Sequence, residues 1–302
     1  MTGQLTSPLS TGGAGVVFEY RVAALMFSRL LRGAHVPVGI QLPLERVALQ
    51  QRNEGYPFDD IVAHAGPDGD GPSIQIQVKR RLQITRRDAE FIKVMTTALD
   101  VCRTHPDELD DGSLLMGLAA GAPTSELSEL AELTEMARAH TDHHGLQSLL
   151  RAGITHQRLR TRYDHVNATV ATAAGGVDDQ AAAPLTHRLL ASLHVWQVLT
   201  GPDDRDWQTE LDGLAPLAAR AGRTSADIME HLCGFAQEHG PRSGHVDADL
   251  LRRELRGRYG IRLASLEGTV QRSGASITVS NTGPGTVFAG ERQEFHNLRI
   301  GS

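Results

Sequence analysis

The sequence predicts an α/β fold in the first half of the chain, followed by an α-helical domain and a short β-rich tail. Three observations predict this. Apolar residues recur at helical spacing from Gly15 to Arg32, and polar and apolar residues alternate strictly from Ile74 to Lys79. Four amphipathic helical patterns then follow one another between residues 184 and 263.

The first half begins with residues 1–14, which are rich in Thr, Ser, Gly and Pro and predict a flexible lead-in. The helix from Gly15 ends where Gly33 gives a stop signal. A broken extended stretch with two prolines follows, and then a short strand from Phe58 to Ala63. A turn rich in Gly, Asp and Pro separates that strand from the one ending at Lys79, so the two strands are predicted to form a hairpin.

Further along, either Thr85 or Asp88 is a suitable N-cap for a helix that reaches about Arg103. Residues 113–120 predict a buried strand, and residues 125–139 predict an acidic amphipathic helix. The order of helix, strands, helix, strand and helix favours a mixed sheet flanked by helices, in a domain spanning residues 15–168.

The second half is predicted to contain three parts. Residues 169–183 predict a linker, residues 184–263 a helical domain, and residues 264–302 a β-rich, Gly-containing tail. The predicted helices are Leu185–Leu199, Trp207–Ala221, Ser225–His239 and Asp247–Tyr259. Because short strands in the tail would expose unpaired edges, we expect residues 266–300 to pair with another copy of the chain or with a partner.

Composition excludes several classes of protein. The chain lacks both a run of about 20 apolar residues and a secretory signal pattern, so we expect a cytoplasmic protein with no membrane partner. Two cysteines make neither a disulfide framework nor a four-cysteine zinc site. No glycine precedes either lysine, which removes the phosphate loop of NTPases, and no Gly-x-Ser-x-Gly motif is present.

Charge is unevenly distributed along a chain whose net charge is −6. Of 30 basic residues only two are lysines, Lys79 and Lys93. The ammonium group of lysine is compact and can lose its proton. The guanidinium group of arginine is larger and stays protonated, so a retained lysine indicates a specific role.

Polar residues of the first half form a candidate metal site. Glu19 projects from the first helix, Asp59 and Asp60 lie at one strand of the hairpin, and Gln77 and Lys79 share a face of the other strand. Carboxylate and amide oxygens suit a hard divalent ion such as Mg²⁺ or Mn²⁺. Lys79 could position or deprotonate a water molecule and stabilise charge on a transferring phosphate.

These residues resemble the PD-(D/E)xK nuclease superfamily. Within that superfamily they are more similar to the double-stranded DNA endonuclease domain at the N-terminus of bacterial anti-phage effectors, including those of CBASS and NTPase-based systems. The resemblance covers roughly residues 10–165. It rests on TGGAGVVFEYRVAA (Thr11–Ala24), FDDIV (Phe58–Val62) and IQVKR (Ile76–Arg80).

The resemblance implies a restriction-endonuclease-like core and metal-dependent hydrolysis of DNA by Glu19, Asp60, Gln77 and Lys79. Gln77 departs from the glutamate that many members carry, although the Mrr-like branch shares this variant. Asp60 directly precedes the apolar pair and is the favoured metal ligand, with Asp59 as the alternative.

A basic run follows the motif and contains Arg80, Arg81, Arg86 and Arg87. Beside a metal site, such a run is typical of a grip on the phosphate backbone of double-stranded DNA. Aromatic residues make up 4% of the chain, which disfavours stacking on single strands.

Two other functions stay open. The nuclease fold could be catalytically silent and bind only DNA or a partner. Alternatively, Arg138 with His143, or Arg160 with His165, matches the loose motif of HEPN-type ribonucleases. For the nuclease, cleavage of both DNA strands requires two active sites, so we expect a homo-oligomer. A separate sensor or NTPase protein could control it.

Overall fold

A six-stranded mixed sheet organises the described part of the chain, which in this computed structural model comprises residues 13–51, 55–66, 71–121, 123–152, 157–240 and 244–263. The strands are β1 (Leu44–Leu49), β2 (Ile61–Ala65), β3 (Ser73–Lys79), β4 (Leu114–Ala120), β5 (Leu193–Gln197) and β6 (His245–Asp247). Their order across the sheet is β5-β4-β3-β2-β1-β6. Strands β3, β4 and β5 pair in parallel, and the other pairs are antiparallel.

Ten helices surround this sheet within the described ranges. They are α1 (Gly13–Arg32), α2 (Ala89–Thr104), α3 (Pro106–Asp110), α4 (Ser125–Arg138), α5 (His143–Arg151), α6 (Gln157–Ala173), α7 (Asp179–Ser192), α8 (Arg205–Arg220), α9 (Ser225–His239) and α10 (Ala248–Tyr259). None of these helices is long and apolar enough to cross a membrane.

The hairpin predicted from the alternating sequence is confirmed, since β2 and β3 pair antiparallel with Ile61 opposite Ile76. Parallel pairing of β3 with β4 sets Gln75 beside Met116 and Gln77 beside Leu118. Because side chains alternate across a strand, the polar residues of β3 share one sheet face with the large apolar residues of β4. Gln75 and Gln77 are 2% and 8% exposed, so this polar face is buried rather than solvated.

Two groups of helices flank the sheet. A large apolar core joins residues of β4, such as Met116 and Leu118, to α2, α4, α5, α6 and α7. Helix α1 packs against β1 and β3 and also contacts α8, α9 and α10. Asp88 is the N-cap of α2, where its side chain accepts a hydrogen bond from the Phe91 amide at 2.7 Å.

The second half of the chain differs from its sequence-based prediction. Residues 184–263 do not form a separate helical domain, because all described residues belong to one compact unit and β5 and β6 complete the same sheet. The proposed linker at 169–183 is mostly helical, with α6 ending at Ala173 and α7 beginning at Asp179. Helices α8, α9 and α10 each pack against α1, and α8 also packs against α9, which the sequence of each segment by itself cannot reveal.

Three strands were not predicted from the sequence, and one of them is β6 (His245–Asp247), which directly precedes α10. The helix predicted over Leu185–Leu199 ends at Ser192, and Leu193–Gln197 continues as β5. Strand β1 begins at Leu44, where the sequence predicts the end of a broken extended stretch. The β-rich tail predicted for residues 264–302 lies outside the described residues.

Candidate active site

Asp60 lies immediately before β2 and its side chain reaches the neighbouring strand. Its Oδ2 accepts a hydrogen bond from the Val78 amide at 2.7 Å and another from the side-chain amide of Gln77. Burial raises the pKa of Asp60 above its ordinary value, while the Val78 amide and the positive charge of Lys79 oppose that rise. The carboxylate of Asp60 therefore forms part of the β2–β3 hairpin.

Asp59, the alternative ligand, is held differently. Its backbone carbonyl accepts a hydrogen bond from Gln51 at 2.8 Å as the chain enters β2. No hydrogen bond joins its side chain to another described residue, although its charge raises the pKa of both Glu19 and Asp60. Asp59 thus belongs to the same electrostatic cluster but lacks the contacts to β3 that Asp60 makes.

Glu19 approaches this cluster from α1. Its pKa is raised to about 7, first because the side chain is partly buried and next because of the nearby charge of Asp60. The side-chain amide of Gln50 donates a hydrogen bond to Glu19 Oε1 and opposes this shift. Gln50 follows β1 with a φ of 53°, a left-handed conformation that a non-glycine residue adopts at a cost.

Lys79 ends β3 and completes the cluster. Its Nζ lies 2.9 Å from Oε2 of Glu90, the second residue of α2. The charge of Lys79 also lowers the pKa of both Glu19 and Asp60, which places its ammonium group within electrostatic reach of the two carboxylates. The structure therefore brings together Glu19, Asp60, Gln77 and Lys79 from one helix and two strands.

The donor set determines whether a metal ion could bind. In the described ranges, no group of three or more His, Cys, Asp or Glu side chains is arranged to hold a metal. The cluster instead offers two carboxylates and the amide of Gln77. Both carboxylates have pKa values raised by burial, so their charge is poorly compensated by the chain itself. Two carboxylates are donors that a hard divalent cation accepts, whereas Gln77 presents its amide nitrogen to Asp60 and would have to turn to offer its oxygen.

The basic run is divided between two surfaces. Arg80 and Arg81 are exposed directly after β3. Arg86 and Arg87 are exposed as well, and Arg86 turns towards α6, where it donates a hydrogen bond to the carbonyl of Asp164 at 3.1 Å. Arg86 therefore lines a cavity between α5, α6 and α7 that contains none of Glu19, Asp60, Gln77 and Lys79.

The residues of the HEPN-like alternative have other contacts. Arg138 donates to the Leu193 carbonyl at 2.8 Å and pairs with Glu135, which ties α4 to β5. The ring of His143 packs on His144 with centroids 3.9 Å apart. Arg138 therefore has a structural role that needs no catalytic explanation.

Sequence reasoning missed two residues of the site, Gln50 and Glu90. An acidic residue in the first turn of a helix favours the helix dipole, which gives Glu90 an ordinary explanation in the sequence. Its contact with Lys79 depends on where α2 begins relative to β3. No sequence pattern around Gln50 points to the site, because its left-handed backbone conformation is imposed by the surrounding fold.

Comparisons with known proteins give little beyond this geometry. No protein-family model matches the chain, and no curated protein matches it either. One similar solved structure is the Cap4 SAVED/CARF-domain containing receptor of Moraxella osloensis, with a TM-score of 0.43 and 10% sequence identity. The match covers 82% of this chain and 49% of that chain, so this chain spans about half the length of that structure.

Proposed function

We propose that the chain is a metal-dependent endonuclease that hydrolyses phosphodiester bonds of double-stranded DNA. The observation that carries the proposal is the convergence of Glu19, Asp60, Gln77 and Lys79 at the open end of the β2–β3 hairpin. The sequence resemblance to endonuclease domains of anti-phage effectors extends the proposal to a role in prokaryotic defence.

Glu19, Asp60 and the amide oxygen of Gln77 would hold Mg²⁺ or Mn²⁺. Gln77 now turns its amide nitrogen towards Asp60, so a ligand role requires its oxygen to face the ion. A bound divalent ion supplies Lewis acidity to a phosphate oxygen and lowers the pKa of a water molecule. Gln50 holds the carboxylate of Glu19 in place on α1 by its hydrogen bond.

Lys79 would act on the phosphate and the attacking water. Its ammonium group can exchange the exposed carboxylate of Glu90 for a phosphate oxygen and stabilise the charge that develops there. Arg80 and Arg81, which follow directly along the chain, are placed to contact the flanking phosphates of a duplex. Such contacts would be independent of base sequence and weakened by salt.

A second candidate function is DNA binding without cleavage. Two observations favour it: Gln77 replaces a charged ligand, and the described residues contain no group of three acidic, His or Cys side chains arranged around a metal. In this case the basic residues would still bind DNA, but the phosphodiester bonds would stay intact.

Conversion of supercoiled plasmid to nicked and linear forms distinguishes the two functions. The full chain is incubated with plasmid in Mg²⁺, in Mn²⁺ and in EDTA, and DNA binding is measured in parallel by fluorescence anisotropy. Cleavage with either metal that EDTA abolishes supports the nuclease. Salt-sensitive binding with no cleavage under any condition overturns it in favour of the silent module.

A further inference from the structure

A polar cavity lies on the helical side of the molecule, away from the candidate metal site. It opens between α5, α6 and α7 and has a volume of about 820 Å³. This volume lies within the range of ordinary small-molecule sites, roughly 300 to 1,000 Å³. Three arginines line it from three places in the chain: Arg86 before α2, Arg151 at the end of α5, and Arg160 on α6.

These arginines lack carboxylate partners. Asp164 and Asp179 line the same cavity, yet none of the three arginines forms an ion pair with a described residue. Arg86 donates one hydrogen bond to a backbone carbonyl, and the Nε of Arg160 is buried without any hydrogen-bond partner. A buried donor with no acceptor is costly, so the guanidinium group of Arg160 lines the cavity with part of its hydrogen-bonding capacity unused.

The other residues that line the cavity suit an organic group attached to an anion that the arginines would bind. His143 and His144 present rings packed on each other with centroids 3.9 Å apart. The hydroxyl of Tyr163 accepts a hydrogen bond from Gln147 at 3.3 Å, so amide and aromatic groups lie together in the same cavity. Stacking surfaces beside guanidinium groups are the chemistry that recognises a nucleobase joined to phosphates.

We propose that this cavity binds a compact phosphorylated ligand of nucleotide size. Guanidinium groups match phosphate oxygens in a planar, two-pronged geometry, and three of them line this cavity without an ion pair to Asp164, Asp179 or any other described carboxylate. The concave shape suits a small ligand better than a duplex, whose backbone requires an extended track. This site is independent of the proposed nuclease activity, because it contains none of Glu19, Asp60, Gln77 and Lys79.

The test measures binding of ATP to the full chain by isothermal titration calorimetry in EDTA, with adenosine and tripolyphosphate as separate probes. We expect ATP to bind and adenosine not to bind. Tripolyphosphate should bind more weakly than ATP if the histidine rings contact the base. Raising the salt concentration should weaken the binding of ATP.

Arg151→Glu, at an exposed position, and Arg160→Glu should each weaken ATP binding by about tenfold or more, as expected for loss of a charged hydrogen bond. Arg158→Glu is the matched control, because Arg158 is exposed on the same helix but does not line the cavity. Lys79→Ala should bind ATP like the wild type. Circular dichroism establishes that each variant is folded.

Three results would overturn the proposal. One is the absence of ATP binding at millimolar concentration, and another is equal weakening by Arg158→Glu. The third is displacement of ATP by a short DNA duplex whose own binding also requires Arg151, since that result would make the cavity part of a duplex-binding track.

Discussion

The ammonium nitrogen of Lys79 lies 2.9 Å from Oε2 of Glu90, a contact that joins the end of β3 to the first turn of α2. The side chain of Glu90 is 53% exposed and that of Lys79 is 17% exposed. Because the carboxylate of Glu90 is largely in water, breaking its ion pair with the more buried Lys79 should cost little free energy. Lys79 is therefore held in one position, and under the proposed function this pair would open to release Lys79 to a phosphate.

Glu90→Gln should strengthen binding of duplex DNA by about two- to fivefold, because it removes a negative charge beside the lysine that would contact phosphate. The free energy of unfolding should change by less than about 1 kcal/mol, as expected for an exposed pair. Fluorescence anisotropy in EDTA measures the affinity. Glu108→Gln, which removes another exposed and paired glutamate, is the control; unchanged or weaker DNA binding by Glu90→Gln would contradict the assignment.

Mg²⁺ should raise the melting temperature of the wild-type chain, since a ligand that binds the folded state stabilises it. Glu19→Gln and Asp60→Asn should lose that increase, whereas Asp59→Asn should keep most of it. In EDTA, Glu19→Gln should melt at a higher temperature than the wild type, because it removes a partly buried charge beside Asp60. Loss of the Mg²⁺ effect in Asp59→Asn alone would assign the ligand role to Asp59.

Protonation of His64 should destabilise the fold in acid. Burial, followed by the nearby charges of Arg46 and His245, lowers the pKa of His64 to about 4, from an ordinary value of 6.5. Between these values the unfolded chain binds a proton that the folded chain does not, so stability is full above pH 6.5 and is lost as the pH falls towards 4.

His64→Gln should therefore flatten the fall in unfolding free energy between pH 7 and pH 4.5, by about 1 kcal/mol once solvent access to the ring is allowed for. Urea denaturation at several pH values measures this. His105→Gln, at a histidine outside the sheet, serves as the control. An identical pH dependence in His64→Gln and the wild type would show that the ring titrates normally.

Glu210 joins the second half of the chain to the first. It is 2% exposed on α8, with Arg29 at 2.8 Å, the Ser28 hydroxyl at 2.9 Å and Arg32 in hydrogen-bonding contact, all on α1. Glu210→Ala should lower the unfolding free energy by about 3 kcal/mol, because it leaves two partly buried guanidinium groups without their buried partner. Asp212→Ala, an exposed acid on the same helix, should cost less than about 0.5 kcal/mol. Equal effects of the two substitutions would mean that α8 is not anchored through Glu210.

Much of the first half of the fold follows from local patterns. The alternation from Ile74 to Lys79 and the N-cap signal of Asp88 predict β3 and the start of α2 because each depends on neighbours in the sequence. The strand Leu193–Gln197 continues the apolar pattern of the preceding helix, and its partner β4 is more than 70 residues away. Such long-range pairing leaves no local signal, so the sequence alone predicts a separate helical domain.

The same limit applies to the site. The types and order of Glu19, Asp60, Gln77 and Lys79 predict one cluster, since adjacent strands and an amphipathic helix bring them together. Gln50 and Glu90 become part of it through the left-handed turn after β1 and the position of α2. The residues next to Gln50 and Glu90 in the sequence predict neither of these features.

Cleavage of supercoiled plasmid in Mg²⁺ by three lysine variants tests the central claim most directly. Lys79→Ala and Lys79→Arg should each reduce the initial rate by about 100-fold, since a guanidinium group is larger and does not lose its proton. Lys93→Ala removes the chain's other lysine, which is exposed on α2, and should cleave like the wild type. Wild-type rates in Lys79→Ala, or an equal loss in Lys93→Ala, would contradict the proposed site.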